Sequence, residues 1–418
     1  MLKLCDQPFT YYPPKYHPVL TPIGRLYNKY VYISNAEHRL TSVTNYQTGR
    51  VKELRKDRRN HLLFIYNHPS HSDSQIVLES LRQLGISTHY LASYDLFFRR
   101  TAFEKWAMQL AGAFSVDREA FNAQPMNQAV STLSDTRHAL TIFAEGRPYL
   151  QNELVTDFQS GAVFIGLQAQ RKLRKKGNGE RVFIVPAAIK VTHTVDCSDK
   201  ILEMLESLSL EMGVDRSGGM DKVTLLEKTG EELMQRALVS RGYRRAEGKD
   251  YPMMQKDGAA EIIAALEYQT GLVPRKDISL WDRTQLLRKH IHAIMLDPEK
   301  NRSKLRDAKR WADHVLIAMR ILSYPSSYVR DNPTIDRFGE TLERLIEDKL
   351  NHAIPPYSRR AALVKYGDPV DLSEYVSGGK IDMSAVEGIT AGSGEEVQKM
   401  VDELCTDNPN PGTKVLIR

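Results

Sequence analysis

Apolar residues in this chain follow two regimes. Between about residues 60 and 195, short continuous apolar runs at 62–66, 89–94, 139–144 and 182–191 alternate with stretches of helical period at 75–84, 96–111, 123–137 and 159–174. Unbroken runs of that length read as strands buried on both faces. Their alternation with helices predicts an α/β core, a mixed central sheet flanked by helices. From 199 to 355 the period is helical throughout, as at Ile201/Leu205/Leu208/Met212 and Phe338/Leu342/Leu345/Ile346, with hardly any strand signal. Strand character returns after Pro355-Pro356, at 361–366, followed by a Gly367-Asp368-Pro369 turn, a helix around 394–405 and a last apolar run at 414–417. The simplest organisation is a discontinuous core, 61–198 and 356–418, carrying a large, mostly helical insertion at 199–355. The alternative is a separate C-terminal domain. Residues 1–60 begin with Pro8, Pro13, Pro14, Pro18 and Pro22 among many tyrosines and are expected to form an N-terminal arm, extended over the core.

Composition changes this picture little. The chain has 418 residues and a net charge of +6, with an isoelectric point near 8.9. The positive excess is gathered in Lys52–Arg59 and in Arg171-Lys172-Leu173-Arg174-Lys175-Lys176, which read either as solvated faces or as surfaces for phosphate and anionic lipid. No recognisable motif points to nucleic acid. No run approaches the roughly 18 apolar residues of a spanning helix, and the first residues lack an apolar signal core, which argues against secretion. Cys5, Cys197 and Cys405 are far apart, with neither a disulfide framework nor a zinc pattern. A cytoplasmic location is expected. Leu96-Phe97-Phe98-Arg99-Arg100, with Phe103, Trp106 and Leu110, could dip into a bilayer interface or pack in the core.

Candidate chemistry sits at residues 62–74, Leu62-Leu63-Phe64-Ile65-Tyr66-Asn67-His68-Pro69-Ser70-His71-Ser72-Asp73-Ser74. The apolar run predicts a strand ending at Asn67-His68, and Ser72 with Gln75 forms a capping-box pattern that starts a helix stopped at Gly85. His68 then leaves a strand and Asp73 opens the next helix, so imidazole and carboxylate can meet as an oriented general base. His292 and Asp297 repeat the spacing inside a helical run with no strand before them, and His292 reads as structural.

Four blocks in order resemble the glycerolipid acyltransferase family. Asn67-His68-Pro69-Ser70-His71-Ser72-Asp73 is similar to its NHxSxxD block, Gly112–Arg118 to its second, Phe143-Ala144-Glu145-Gly146-Arg147 to FPEGTR, and Val185-Pro186-Ala187-Ala188-Ile189 to the fourth. Residues 364–370 resemble the family's closing strand. Ala144 stands where proline is usual, and Arg147 follows Gly146 directly where Thr then Arg is usual.

The resemblance implies transfer of an acyl group from acyl-CoA or acyl-carrier protein to a hydroxyl of a glycerol-phosphate or lysophospholipid acceptor. It makes His68 the general base and Asp73 its partner, with Arg118, Glu145, Gly146 and Arg147 holding the acceptor. No metal or cofactor beyond the acyl thioester is expected. Backbone N–H groups at Ser72–Ser74 are candidate oxyanion donors. A lipid substrate and no spanning helix imply peripheral attachment to the anionic inner face of the membrane. Two other readings stand beside it: a metal-dependent hydrolase using His68, His71 and Asp73, and a non-catalytic lipid-binding or scaffold module on an acyltransferase-like fold.

Overall fold

In the computed structural model, which describes residues 4–146, 151–215, 219–244, 251–297, 303–325, 327–377 and 380–416, Thr10–Asp196 and Ser358–Thr413 form one unit. Met1–Phe9, Cys197–Tyr357 and Lys414–Arg418 form the other. The first unit opens with α1 (Leu20–Tyr27), a π-helical turn at Asn28–Tyr32, β1 (Leu40–Tyr46), α2 (Gly49–Lys56), β2 (Asn60–Tyr66) and α3 (Asp73–Gln83). It continues through β3 (Thr88–Ser93), α4 (Tyr94–Phe98), α5 (Ala102–Leu110), β4 (Ala113–Val116), α6 (Ala123–Asp135), β5 (Ala139–Phe143), α7 (Gly161–Lys176) and β6 (Arg181–His193). The second unit contributes α8 (Ser198–Glu211), α9 (Lys222–Val239), α10 (Tyr251–Thr270), α11 (Leu280–Leu296), α12 (Leu305–Leu322), α13 (Tyr328–Asp331) and α14 (Ile335–Leu350). The chain then returns to the first with β7 (Arg360–Tyr366), β8 (Val370–Asp371), β9 (Val376–Ser377), β10 (Lys380–Ile381) and α15 (Ser384–Thr406).

The sheet runs β1-β7-β6-β2-β5-β3-β4, with β8 also on β6. β2 to β6 are mutually parallel, while β7 is antiparallel to β6 and parallel to β1. This is the expected mixed sheet with helices on both faces. Alternation along β2 explains it. Leu63 and Ile65 join one core with residues of α6, α7 and α15; Phe64 and Tyr66 join the other with Val51 of α2 and Ile76, Val77 and Leu81 of α3. Both faces being covered, β2, β6 and β7 are buried almost end to end.

Three expectations are corrected. The N-terminal arm is not extended beyond its first residues: it holds α1, α2 and the edge strand β1, which pairs with β7 from Leu40↔Arg360 to Tyr46↔Lys365. Pro22 is tolerated because it lies in the first turn of α1, where no N–H is needed for the helix. The helix expected over 96–111 is broken between Phe98 and Ala102, because Thr101 caps α5 in a reciprocal capping box with Glu104. The last apolar run adds no strand to the sheet: Leu416 N–H donates to Pro333 O and Ile335 N–H to Lys414 O within the helical unit.

The helical unit has its own apolar clusters, one around α10, α11 and α12 and one around α8, α9 and α14. His292 is buried on α11. Among the described residues no helix is long and apolar enough to cross a membrane. The two basic clusters are partly engaged within the fold: Lys172 and Lys176 pair with Asp135 at 2.5 and 2.9 Å, and Arg55 donates to Leu84 O at 2.9 Å.

Buried histidines give the sheet unit an acid-sensitive stability. His89 is buried on β3, its Nδ1 3.2 Å from Thr132 Oγ1, and its ring stacks on His138 at 4.5 Å. Burial, with smaller repulsion from His138 and Arg25, lowers its pKa from 6.5 to about 3. The unfolded chain therefore binds a proton that the folded chain refuses. The stability involved is complete above pH 6.5 and is lost progressively as pH falls toward about 3. His38, His61 and His138 are shifted down by burial too. Wild type is expected to lose roughly 3 kcal/mol through His89 alone by about pH 4. A His89→Gln variant, followed by denaturant unfolding from neutral to acid pH, should show a shallower decline.

Candidate active site

Because β2 and β5 run parallel side by side, their carboxyl ends release two chain segments at one sheet edge. Asn67 follows β2 and is fully buried. Its amide brackets β6, with Nδ2 donating to Ile189 O at 2.9 Å and Oδ1 accepting from Ile189 N–H at 2.8 Å. This side chain continues the β2–β6 ladder one step past the strand and fixes where His68 begins.

His68 Nδ1 lies 2.6 Å from Asp73 Oδ2. A carboxylate only accepts, so Nδ1 carries the hydrogen and Nε2 keeps its lone pair. The imidazole stacks on Phe143 at 4.9 Å and its side chain stays 29% exposed, whereas Asp73 is fully buried. Three further bonds converge on that carboxylate: Ser70 N–H donates to both oxygens at 3.1 and 3.0 Å, and Ser70 Oγ–H to Oδ1 at 2.8 Å. Asp73 also opens α3, where the helix dipole favours a negative charge. Imidazole and carboxylate meet as the spacing predicted.

The helix start differs from the expected capping box. Ser72 is the N-cap residue but its side chain does not accept a backbone N–H; its Oγ pairs instead with His38 Nδ1 at 2.9 Å. Gln75 Oε1 accepts from Ser74 Oγ. Ser72 N–H is taken by Ser70 Oγ at 3.1 Å, so that candidate oxyanion donor is committed inside the turn. Gly85 closes α3 at φ +66°, with Ile86 N–H on Leu81 O and Gly85 N–H on Arg82 O.

Glu145 follows β5 and is 2% exposed. Its Oε1 accepts His68 N–H at 2.7 Å, while Oε2 accepts Thr156 N–H at 3.1 Å and Thr156 Oγ–H at 2.5 Å. Burial raises its pKa above the usual carboxylate range, and the bonds from Thr156 and His68 pull it partly back. Both oxygens are thus engaged by the chain, which makes Glu145 a brace under the His68 backbone. Ala144 N–H donates to Tyr66 O at 2.9 Å, a bond that the proline usual at this position could not make. Gly146 sits at φ +59°, and a Cβ there would lie 2.8 Å from Gln159 Cγ.

Arg118 is exposed two residues past β4, at the same sheet edge. β4 is three strands from β2 in the sheet order, roughly 14 Å away at ordinary strand spacing, so the fold brings Arg118 to the edge but not beside His68. Arg147 lies outside the described residues. His71 is exposed, and among the described residues it does not converge with His68 and Asp73 as a cluster of possible metal ligands. Ser70, Thr156 and His38 were missed by sequence reasoning. Ser70 carried a signal, being a hydroxyl three residues before a helix-opening carboxylate; Thr156 and His38 reach the site only through tertiary folding.

A family model described as Acyltransferase matches residues 45–190. No curated protein matches the chain.

Proposed function

We propose that this chain, in which a family model described as Acyltransferase matches residues 45–190, moves a fatty acyl group from an acyl thioester, acyl-CoA or acyl-carrier protein, to a hydroxyl of a glycerol-phosphate or lysophospholipid acceptor. The observation that supports this reading is the 2.6 Å His68–Asp73 pair, which leaves Nε2 as the base. Nε2 takes the acceptor proton as its oxygen attacks the thioester carbonyl. The tetrahedral adduct collapses, the C–S bond breaks, and the departing thiolate recovers the proton from His68. Asp73 stabilises the imidazolium in between. Direct transfer needs no nucleophile from the chain, and the nearby hydroxyls are otherwise engaged: Ser70 Oγ–H donates to Asp73 and Ser72 Oγ pairs with His38. Arg118, Gly146 and Arg147 hold the acceptor phosphate, while Glu145 positions His68 from beneath. No metal or cofactor takes part, and the protein works peripherally on the cytoplasmic face of an anionic membrane.

Thiol release from long-chain acyl-CoA, with lysophosphatidate, glycerol 3-phosphate or no acceptor, tests the reading. Release that depends on one of the acceptors and survives chelation is expected. Release without any acceptor would make the protein a thioesterase, and loss on chelation would favour the metal-dependent hydrolase.

A further inference from the structure

The segment from Val19 to Val31 is amphipathic in the opposite sense to an ordinary surface helix. Its buried residues, Thr21 and Asn28, are both polar and uncharged. Thr21 is buried, with Oγ1–H on Leu110 O at 3.3 Å, and Asn28 is buried, with Nδ2 on Gln75 O at 3.1 Å. Its apolar residues face outward: Val19, Ile23, Leu26, Tyr27, Tyr30 and Val31 recur at helical spacing and are each between 48% and 66% exposed. Polar groups inside and a contiguous apolar stripe outside reverse the usual arrangement, and a stripe of this kind marks an interaction surface. The stretch at 96–110, which the sequence leaves open between a bilayer interface and the core, is mixed: Phe97 is fully buried, stacked on Tyr12 at 4.8 Å, and Leu110 is buried, while Phe103 is 72% exposed.

We infer that the outward face of α1 and the π-turn is a docking surface for an anionic lipid bilayer. Charge supports this occupant: over residues 15–37 and 95–105, Lys15, Arg25, Lys29, Arg99, Arg100 and Lys105 outnumber Glu37, Asp95 and Glu104. Lys29 Nζ lies over the Tyr30 ring at 4.6 Å, a cation–π contact that places a positive charge beside the apolar stripe. Tyr27 and Tyr30 suit the headgroup boundary, where an apolar ring and a polar hydroxyl are both accommodated. Thirteen helical residues span about 20 Å, too short to cross a hydrocarbon core of about 30 Å, so the segment lies in the interface plane. Asn28 holds it to Gln75, two residues from Asp73. Docking therefore sets the catalytic edge at the membrane surface, where a lipid acceptor reaches it without entering water. The docking itself does not depend on the acyl-transfer reading.

The test is flotation of the full chain with vesicles of phosphatidylcholine alone and of phosphatidylcholine mixed with phosphatidylglycerol. Wild type should float with the mixed vesicles, and Ile23→Asp/Leu26→Asp should reduce the bound fraction about tenfold at unchanged melting temperature. Lys29→Glu should weaken binding only to the anionic vesicles, in a salt-dependent way. Wild type that stays unbound, or a double variant that floats normally, overturns the inference. So does a wild-type dimer, unbound to vesicles, that the double variant converts to monomer, since a second copy would then cover this face. Glycerol 3-phosphate acylation in solution should be equal in wild type and the double variant. If neither is active but wild type floats, the chemistry falls and the docking stands.

Discussion

A His68→Ala variant should release thiol from acyl-CoA in the presence of acceptor about 10²- to 10⁴-fold more slowly than wild type, with its fold intact. The side chain is 29% exposed and lost packing is confined mainly to the Phe143 stack, worth about 1 kcal/mol. What disappears is the nitrogen that takes the acceptor proton. His68→Gln separates chemistry from structure: glutamine can donate to Asp73 and cover Phe143 but cannot accept a proton at neutral pH. If the imidazole only ordered the loop, glutamine would restore much of the rate; the account expects it to be as inactive as alanine. Thermal melting beside the rate measurement checks that both variants are folded.

Asp73→Ala should lose stability as well as rate. The carboxylate is fully buried and accepts from His68 Nδ1–H, Ser70 N–H and Ser70 Oγ–H. Removing it strands these donors in a dry turn and takes the negative charge from the α3 N-terminus, costing about 3–5 kcal/mol. Asp73→Asn divides the two losses. Its carbonyl can still accept from Ser70, so most of the fold survives. Its amide presents N–H to Nδ1, which drives the proton to Nε2 and removes the base. The expected pattern is a destabilised, inactive alanine variant and a nearly normally stable asparagine variant that is still severely slowed. An asparagine variant with near wild-type activity would mean that the carboxylate serves the turn alone.

Elements covered on both faces were the legible ones. β2, β5 and β6 appear as unbroken apolar runs because helices pack on either side. β1 is an edge strand with a mostly exposed pattern and no such run, so it vanished into a proline- and tyrosine-rich arm. The break before α5 was written in Thr101 and Glu104, yet the apolar period of 96–111 hid it. At the site, His68 and Asp73 were legible because a strand end and a helix start five residues apart fix their meeting locally. Glu145 beneath His68 was not legible in that role, because the contact exists only once β5 lies beside β2. The same holds for His38, which takes the Ser72 hydroxyl from 34 residues upstream. The apolar stripe at Val19–Val31 has a period that can be counted in sequence; which side faces out is decided by Thr21 and Asn28 finding partners in the fold.

The central claim is direct transfer by a histidine base, and a single-turnover experiment with radiolabelled acyl-CoA tests it most directly. The full chain is mixed in excess over label, quenched in acid and separated into protein, acceptor and free fatty acid, with and without lysophosphatidate or glycerol 3-phosphate. Label that moves to the acceptor only when acceptor is present, never resides on protein, and does not move with His68→Ala is the predicted result. Label held covalently on the protein before acceptor is added would contradict direct transfer and place a nucleophile of the chain in the reaction.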